Sequence, residues 1–384
     1  MHALRTLYFF QFLFSFGVGA ATPILPLFAR DLGADYTEVG LLGAAFGLAS
    51  SVFAVLLGVL SDRFGRKAFI VIGSLVAVSA ATGYLVAASV HHLLGLRFAE
   101  GLSIAAILPA ADALTTNLAG AKGVGAALSW ISTAHNVGFA SGSFLGGSIA
   151  DRLGLSAPFV VYLVAAVAAF SVALRLQDPN ILHTKPLRPQ ASPHSGVHVW
   201  RNRHALRGCV TGGVHMFNQA IVITFLPVYA RSLGLSISAT GLLYSLFWVT
   251  RIAASLGSGS LSDRIGRNPV LVGAFLMAGT GFVVMGAGRS SWLLPATILV
   301  GLGLGAVFPV TIAMVSDHVP PTQRGLAIGI FEATAGLAFM VASGVGGLLA
   351  ENVDPRAPYW SASVQSVVWA VIMAWRGRKS SLSI

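Results

Sequence analysis

Gly58-Val-Leu-Ser-Asp-Arg-Phe-Gly-Arg-Lys67 is a charged decapeptide that separates two long apolar stretches of the chain. About two hundred residues later, Gly259-Ser-Leu-Ser-Asp-Arg-Ile-Gly-Arg-Asn268 repeats its order of glycine, leucine, aspartate, arginine, glycine and arginine. A single charged decapeptide could belong to any surface loop. Two copies between similar neighbours indicate a duplicated architecture.

The repeat extends beyond the decapeptide. Leu25-Pro-Leu-Phe-Ala-Arg-Asp-Leu-Gly33 recurs as Leu226-Pro-Val-Tyr-Ala-Arg-Ser-Leu-Gly234, and Pro109 recurs as Pro309. The pair Gly146-Gly147 recurs as Gly346-Gly347. The chain therefore contains two similar halves in the same order.

The composition is that of a membrane protein. Hydrophobic residues make up 55% of the 384 and charged residues only 10%, and the mean hydropathy is +0.79. A soluble domain cannot cover its surface with so few charges. Most apolar runs are long enough for a helix to cross a hydrocarbon core of roughly 30 Å, whereas membrane barrels show short alternating segments. The net charge of +11 is spread over many short loops, so nucleic acid is not expected as a partner.

The hydropathy pattern predicts an all-α integral membrane protein with twelve spans. We expect residues 1–176 to form one six-helix bundle, 177–203 a linker and 204–384 a second six-helix bundle with a short tail. The predicted spans are 5–29, 37–60, 68–88, 92–118, 123–149, 156–176, 205–230, 237–260, 269–287, 292–315, 325–350 and 357–375.

Lysine and arginine are distributed unevenly between the two sets of loops. Seventeen of the 24 fall on the side that holds both termini and the linker, and two fall within spans. Five fall on the other side: Arg30, Arg152, Arg231, Arg289 and Arg356. The positive-inside rule then predicts that both termini are cytoplasmic and that the protein is multi-pass in the cell membrane.

Three stretches resemble motifs of the major facilitator superfamily, and the resemblance covers essentially the whole chain. The loop between spans 2 and 3 is similar to motif A, and Arg97-Phe-Ala-Glu-Gly101 in span 4 is similar to motif B, with Glu100 where glutamine is more usual. Span 5 is similar to motif C, although Ser143 stands where that motif has proline. The matched motif A residues are Gly58, Leu60, Asp62, Arg63, Gly65, Arg66 and Lys67, and those of motif C are Gly138, Gly142, Gly146 and Gly147.

The resemblance implies two six-helix bundles related by a pseudo-twofold axis, a cavity lined mainly by spans 1, 4, 7 and 10, and alternating access. It also implies that Asp62 binds the N-terminus of span 11 and latches the outward-open state. Asp112 is placed to pair with Arg63 or Arg66. In the second copy of motif A, the corresponding gating candidates are Asp263, Arg264, Gly266 and Arg267. The alternative is a loop that only anchors topology through its cations.

Two candidate pairs of charged residues lie well inside predicted spans. Arg97 and Glu100 are three residues apart and share a helix face. Each is costly in hydrocarbon, roughly 3 kcal/mol, unless it is paired or faces water, so a proton-coupling site is one interpretation and a structural pair is the other. Arg251 and Glu332 have similar predicted depths, which predicts a second pair, either a gate or a static tie.

The expected substrate cavity is mainly aromatic. Span 1 contains Phe9, Phe10 and Phe14 in addition to the cavity candidates Phe12 and Phe16, and some of these rings must face lipid. A histidine inside a membrane helix more often packs against its neighbours than carries a proton. An apolar or amphipathic substrate fits this lining better than a sugar. The candidate cavity residues are Phe12, Phe16, His215, Phe217, Asn218, Gln219 and Phe308.

The leading functional hypothesis is a secondary active transporter, a proton-coupled antiporter that exports amphipathic or drug-like molecules. The alternative is an uptake symporter or uniporter for a small metabolite such as a sugar or an organic acid. A membrane enzyme, a primary pump and a transporter-derived sensor are disfavoured, because the sequence shows no nucleophile with a base, no nucleotide-binding motif and no output domain. No metal or other cofactor is expected beyond protons as the coupling ion. The expected partners are a small-molecule substrate and the lipid bilayer, with a monomer as the functional unit.

Overall fold

A computed structural model describes residues 2–119, 123–177, 202–317, 319 and 324–381. Within these ranges the chain is helical and contains no strand. We number the helices α1 to α12, counting as α1 two pieces, His2–Ala21 and Leu25–Asp31, that follow one another with a three-residue break. The others are α2 Tyr36–Phe64, α3 Arg66–Leu85, α4 Val90–Ala119, α5 Val124–Leu153, α6 Ala157–Leu174, α7 Arg203–Ser232, α8 Ile237–Ile265, α9 Arg267–Gly286, α10 Ser290–Asp317, α11 Arg324–Asn352 and α12 Ala357–Ser381.

All twelve predicted spans coincide with these helices, whose ends lie within six residues of the predicted ends. Ten are long and apolar enough to cross a membrane on length and composition alone. The other two helices are α5 and α12. The predicted linker lies almost entirely outside the described residues.

Local sequence explains several helix ends. Asp35 accepts a hydrogen bond from the Glu38 amide at 2.7 Å, and Glu38 accepts one from the Asp35 amide at 3.0 Å, a capping box that starts α2. Gly65 separates α2 from α3 with φ of +100°, and Gly266 separates α8 from α9 with φ of +95°. Only glycine adopts such angles without strain, which explains its place in both copies of the decapeptide.

The two halves repeat the same packing. In the first half, α1 packs on α5 and α6, α2 on α4, and α3 on α4 and α6. In the second half, α7 packs on α11 and α12, α8 on α10, and α9 on α10 and α12. The halves meet chiefly through α2 against α11 and α5 against α8. These contacts give the pseudo-twofold arrangement that the repeat predicts.

The bundle has two ends that differ in sequence and structure. We call the end with the Gly65 and Gly266 turns the terminal end, because the chain enters α1 and leaves α12 there. The opposite end, with the turns at residues 32–35, 154–156, 233–236 and 353–356, is the distal end. The halves contact one another closely at the distal end.

Candidate functional site

Glycine–glycine contacts close the distal end between the halves. A Cβ built on Gly147 of α5 would lie 2.6 Å from the Cα of Gly241 of α8. On the other side of the interface, a Cβ on Gly40 of α2 would lie 2.9 Å from the Cα of Gly347 of α11. Real Cβ atoms do not approach carbon so closely, so the two helix pairs touch backbone to backbone.

Two carboxylates cap helices across this interface. Asp151, at the end of α5, accepts hydrogen bonds from the amide of Ile237 at 3.2 Å and from the hydroxyl of Ser238 at 2.7 Å, at the start of α8. Glu351, at the end of α11, accepts one from the amide of Tyr36 at 2.9 Å, at the start of α2. Each places a negative charge at the positive end of a helix in the opposite half. The two contacts occupy corresponding positions in the repeat.

The halves separate toward the terminal end. On α2, Gly58 lies 18 residues, about five helical turns, beyond Gly40 on the same face, and a Cβ built on it would meet only Pro109 of its own half, at 3.9 Å. Gly259 of α8 and Gly329 of α11 likewise lie about five turns from Gly241 and Gly347 on the same helix faces, and Cβ atoms built on them would meet nothing within 4 Å. The structure is therefore closed at the distal end and open at the terminal end.

Two predicted carboxylates lie in the open part. Asp112 of α4 and Glu332 of α11 are exposed there, and their charges interact across the two halves. Arg66 donates to the carbonyl of Ala113 at 2.7 Å, which brings the motif A turn next to Asp112.

The motif A aspartates have local partners. Asp62 pairs with Arg66 at 3.0 Å, and its side chain is 63% exposed. In the second copy, Asp263 pairs with Arg267 at 2.7 Å, and Arg267 also reaches Asp317 of α10 at 3.2 Å. Within the described residues Asp62 makes no hydrogen bond to α11. The predicted latch is thus not formed in this structure, as expected for a terminal end that is open.

Arg97 and Glu100 form a buried ion pair in the first half. Arg97 Nη1 lies 2.7 Å from Glu100 Oε2, and the Tyr84 hydroxyl donates to the same oxygen at 2.9 Å. The Arg97 guanidinium also lies over the ring of Phe46, 4.6 Å from its centroid. Glu100 is 1% exposed, so the pair is shielded from water in this conformation.

This pair lies directly behind the closed distal contact. Arg97 lines a small void together with Thr22 and Gly43 of the first half and Thr224 of the second half. Thr224 is hydrogen-bonded to Ser343 at 3.1 Å, which joins α7 to α11 beside the void. Separation of the halves at the distal end would therefore open a path to Arg97.

The predicted pair of Arg251 with Glu332 is not formed in this structure, which contradicts the static tie and leaves the gate a prediction. Arg251 Nη2 lies 3.3 Å from His215 Nε2, and its guanidinium lies over the Trp248 ring at 5.0 Å. Within the described residues no carboxylate oxygen lies within 4.0 Å of Arg251. Similar depth on α8 and α11 did not bring the two side chains together, because the Arg251 side chain points toward α7.

A polar cluster joins α1 to α5 next to Arg251. Ser15 Oγ lies 2.8 Å from His135 Nδ1, and Gln11 Nε2 lies 3.1 Å from the same nitrogen. The His135 ring packs edge-on against Trp248 of the second half at 6.4 Å. Gln11, Ser15 and Trp248 were not among the site residues predicted from the sequence. The four-residue spacing of Gln11 and Ser15, which puts them on one helix face, was the available signal.

The predicted cavity residues have different environments. His215 packs against Phe308, with ring centroids 5.9 Å apart, and Phe12 stacks on Phe16 at 6.0 Å. The assignment of Asn218 to the cavity is wrong, since its amide donates to Ser366 of α12 at 2.7 Å and the side chain is fully buried inside the second half. Phe217 and Gln219 flank it on α7, where Phe217 is partly buried and Gln219 is 8% exposed.

The motif C glycines make two kinds of contact. Cβ atoms on Gly138, Gly142 and Gly146 would lie 2.5, 2.1 and 2.2 Å from carbonyl oxygens of α1, within the first half, whereas Gly147 faces α8. Ser143 donates a hydrogen bond to the Gly19 carbonyl at 3.1 Å. The serine at the usual proline position therefore strengthens the packing of α5 on α1.

A separate cavity lies within the second half. It has a volume of about 550 Å³ and is formed by α8, α9 and α10 of the second half, with Arg264 as its only charged lining residue among those described. Its lining is otherwise mainly apolar, without converging polar groups. We therefore place the candidate site in the cleft between the halves, where buried charged and aromatic side chains from both halves meet.

Twelve helices in two repeated bundles, with charged residues buried beside an interface that is closed at one end, define a multi-pass membrane transporter. The family model of the Major Facilitator Superfamily matches residues 7–214 and 208–382, so the chain belongs to this superfamily. It is 24% identical over 359 residues to the MFS-type transporter MJ1560 of Methanocaldococcus jannaschii, covering 93% of each chain.

Two further comparisons agree with this assignment. The chain is 26% identical over 385 residues to the multidrug resistance protein MdtG of Proteus mirabilis, covering 97% of this chain and 94% of the relative. The crystal structure of the nucleoside transporter NupG superposes with a TM-score of 0.79 at 15% identity, covering 97% of this chain and 98% of that one. This likeness shows the shared fold. The protein is a transporter, not an enzyme.

Proposed function

We propose that the protein is a secondary active transporter that works by alternating access, exchanging protons for amphipathic small molecules that it exports. In this proposal the cleft opens alternately at the terminal and the distal end as one half rocks against the other. The present structure is the state that is open at the terminal end.

One observation supports proton coupling above all others: ionisable groups lie at two depths of the cleft, one buried directly behind the closed contact and one in the open part. Glu100, bound to Arg97 and Tyr84, lies behind the distal interface, and Asp112 and Glu332 lie in the open cleft. An ionisable residue inside a membrane is costly, so it is retained where it has a function. Two such stations let a proton enter from one side and leave on the other.

The cycle follows from these positions. When the distal end opens, water reaches the void beside Arg97, and Glu100 takes up a proton. Protonation weakens its ion pair with Arg97, since the attraction depends on the carboxylate charge. When the terminal end opens, the proton leaves toward Asp112 and Glu332, and the substrate enters the cleft. The similarity to MdtG, a multidrug resistance protein, supports drug-like compounds as the substrates.

The charge distribution supports the orientation. The terminal end carries most lysines and arginines, so we place it in the cytoplasm, with both termini on that side of the cell membrane. Protons then enter from outside through the distal end. The substrate leaves by the same end in the other half of the cycle.

Transport by purified protein in proteoliposomes tests this proposal. With an acidic lumen, the vesicles should accumulate ethidium or 2-naphthoate but not glucose, and a protonophore should abolish the accumulation. Glu100→Gln should abolish accumulation driven by the pH gradient, because glutamine cannot carry the proton. It should leave downhill exchange largely intact, which also shows that the variant folds.

Asp354→Asn is the matched control, since Asp354 is an exposed carboxylate in a distal turn. It should transport like the wild type. If Glu100→Gln accumulates substrate fully and Glu332→Gln does not, Glu332 and not Glu100 carries the coupled proton. Accumulation that does not depend on the pH gradient would refute proton coupling.

A further inference from the structure

The environment of Arg251 in the cleft contains hydrogen-bond donors without acceptors. The backbone of α8 is fixed there, because a Cβ on Gly305 of α10 would lie 2.4 Å from the Arg251 carbonyl oxygen. The side chain leaves this contact and reaches His215 on α7 and Trp248 on its own helix. His215 is fully buried and Trp248 is 5% exposed.

The hydrogen-bond pattern fixes the proton on His215. A guanidinium can only donate, so His215 Nε2 accepts from Arg251 Nη2, and Nδ1 of the neutral ring carries the hydrogen. Arg251 Nη1, His215 Nδ1 and Trp248 Nε1 are all buried, and no protein group among the described residues accepts from them. Three unsatisfied N–H groups therefore lie on three adjacent side chains.

The charge of Arg251 is also uncompensated by the protein. Within the described residues, Glu100 is bound to Arg97 and Tyr84, and no carboxylate oxygen lies within 4.0 Å of Arg251. A buried cation without a counter-charge is unfavourable in a low-dielectric interior. An anionic group with several acceptor oxygens would satisfy the donors and neutralise the charge together.

Aromatic side chains from both halves surround these donors. Phe139 of α5 packs on Trp248, with ring centroids 4.6 Å apart, and Phe308 of α10 packs on His215. The surroundings thus offer an apolar surface next to the donors. A ligand with a charged oxygen group and a flat apolar body matches both features.

We propose that Arg251, His215 and Trp248 bind the carboxylate or sulfonate of an amphipathic organic anion, whose apolar body packs against Phe139 and Phe308. This inference rests on the proposed function and narrows its substrate class from amphipathic compounds in general to anions. The guanidinium supplies the charge. The histidine and the indole supply the two further donors.

Equilibrium binding to purified full-length protein in nanodiscs, at one pH and without a gradient, tests the inference. The probe is tritiated 2-naphthoate, competed by unlabelled 2-naphthoate, neutral 2-naphthamide and cationic 2-naphthylmethylammonium. These compounds share the aromatic body and differ in charge. The anion should compete most strongly and the cation least.

Arg251→Gln should weaken 2-naphthoate binding about 10- to 100-fold, the effect of removing a charge-assisted contact, and leave competition by 2-naphthamide against the residual binding nearly unchanged. Trp248→Phe keeps an aromatic ring but removes the indole N–H and part of the ring surface, so it should weaken the anion several-fold more than the cation. Arg289→Gln is the matched control and should bind like the wild type, because Arg289 lies over Trp292 at 5.0 Å in the same way but in a distal turn.

Three results would overturn the inference: no binding of 2-naphthoate by the wild type, tighter binding of the cation than of the anion, or equal loss of all three ligands in Arg251→Gln with an unaltered melting temperature. Because the assay contains no gradient, its outcome does not depend on proton coupling. Gradient-driven accumulation of ethidium without 2-naphthoate binding would refute the anion site and leave the antiporter intact.

Discussion

Gly147→Ala should open the distal end. The new methyl carbon would lie 2.6 Å from the Cα of Gly241, nearly 1 Å closer than an ordinary carbon–carbon contact of about 3.5 Å, and 3.0 Å from the Ile237 carbonyl oxygen. Both neighbours are backbone, so relief requires α5 and α8 to separate. Overpacking of this kind costs about 1–3 kcal/mol and falls only on the state in which the halves touch.

The shift can be measured by cysteine labelling. Such a cost changes a two-state population ratio by about 5- to 150-fold. Thr224→Cys, in a background where the buried native Cys209 is replaced by serine, should then react with a water-soluble maleimide faster by that factor, since Thr224 is 4% exposed behind the contact. Asp151→Asn weakens the cap on α8 and should raise the labelling rate of Thr224→Cys by about two- to fivefold.

Two alanine variants serve as controls. Gly344→Ala should leave the labelling rate unchanged, because the nearest atom to its new Cβ would be Ala44 Cβ at 4.0 Å. Gly146→Ala should lower the melting temperature, since its clash at 2.2 Å with the Ala20 carbonyl lies within the first half. A labelling rate in Gly147→Ala within twofold of the Gly344→Ala rate would refute the assignment of this contact to the gate.

Two further predictions concern motif A and the topology. Asp62→Asn should reduce transport far more than expression, because the carboxylate is exposed here and has its latching role in the other state. Asp263→Asn should reduce transport less. Unchanged transport by Asp62→Asn in proteoliposomes would exclude the latch. A cysteine at Ser192, in the predicted linker and outside the described residues, should be protected from an impermeant maleimide added to intact cells. Labelling of this cysteine from outside would contradict the predicted cytoplasmic position of the linker.

The sequence predicted the features that depend on local chemistry. Span positions followed from apolar runs and glycine turns, and the Gly65 turn from its place between two spans. The Arg97–Glu100 pair followed from a three-residue spacing, which fixes the shared face of a helix whatever its surroundings. Each of these needs information from only one or two adjacent helices.

Contacts between distant helices were less predictable. Arg251 and Glu332 have similar depth, but depth does not determine which way a side chain points around its helix, and Arg251 turns toward His215. Asn218 similarly turns toward Ser366 in α12. The distal caps by Asp151 and Glu351 were not predicted either, because each requires the relative placement of the two halves.

Distance measurements between the halves test alternating access most directly. Spin labels at Val86 and Ala287 report on the distal end, and labels at Leu174 and Val371 report on the opposite side of the bundle; all four positions are exposed. Electron–electron double resonance on protein in nanodiscs, at two pH values and with or without 2-naphthoate, gives both distances. We predict opposite changes, with the distal distance increasing as the terminal one decreases. Two distances that change together, or that never change while transport is active, would contradict the account.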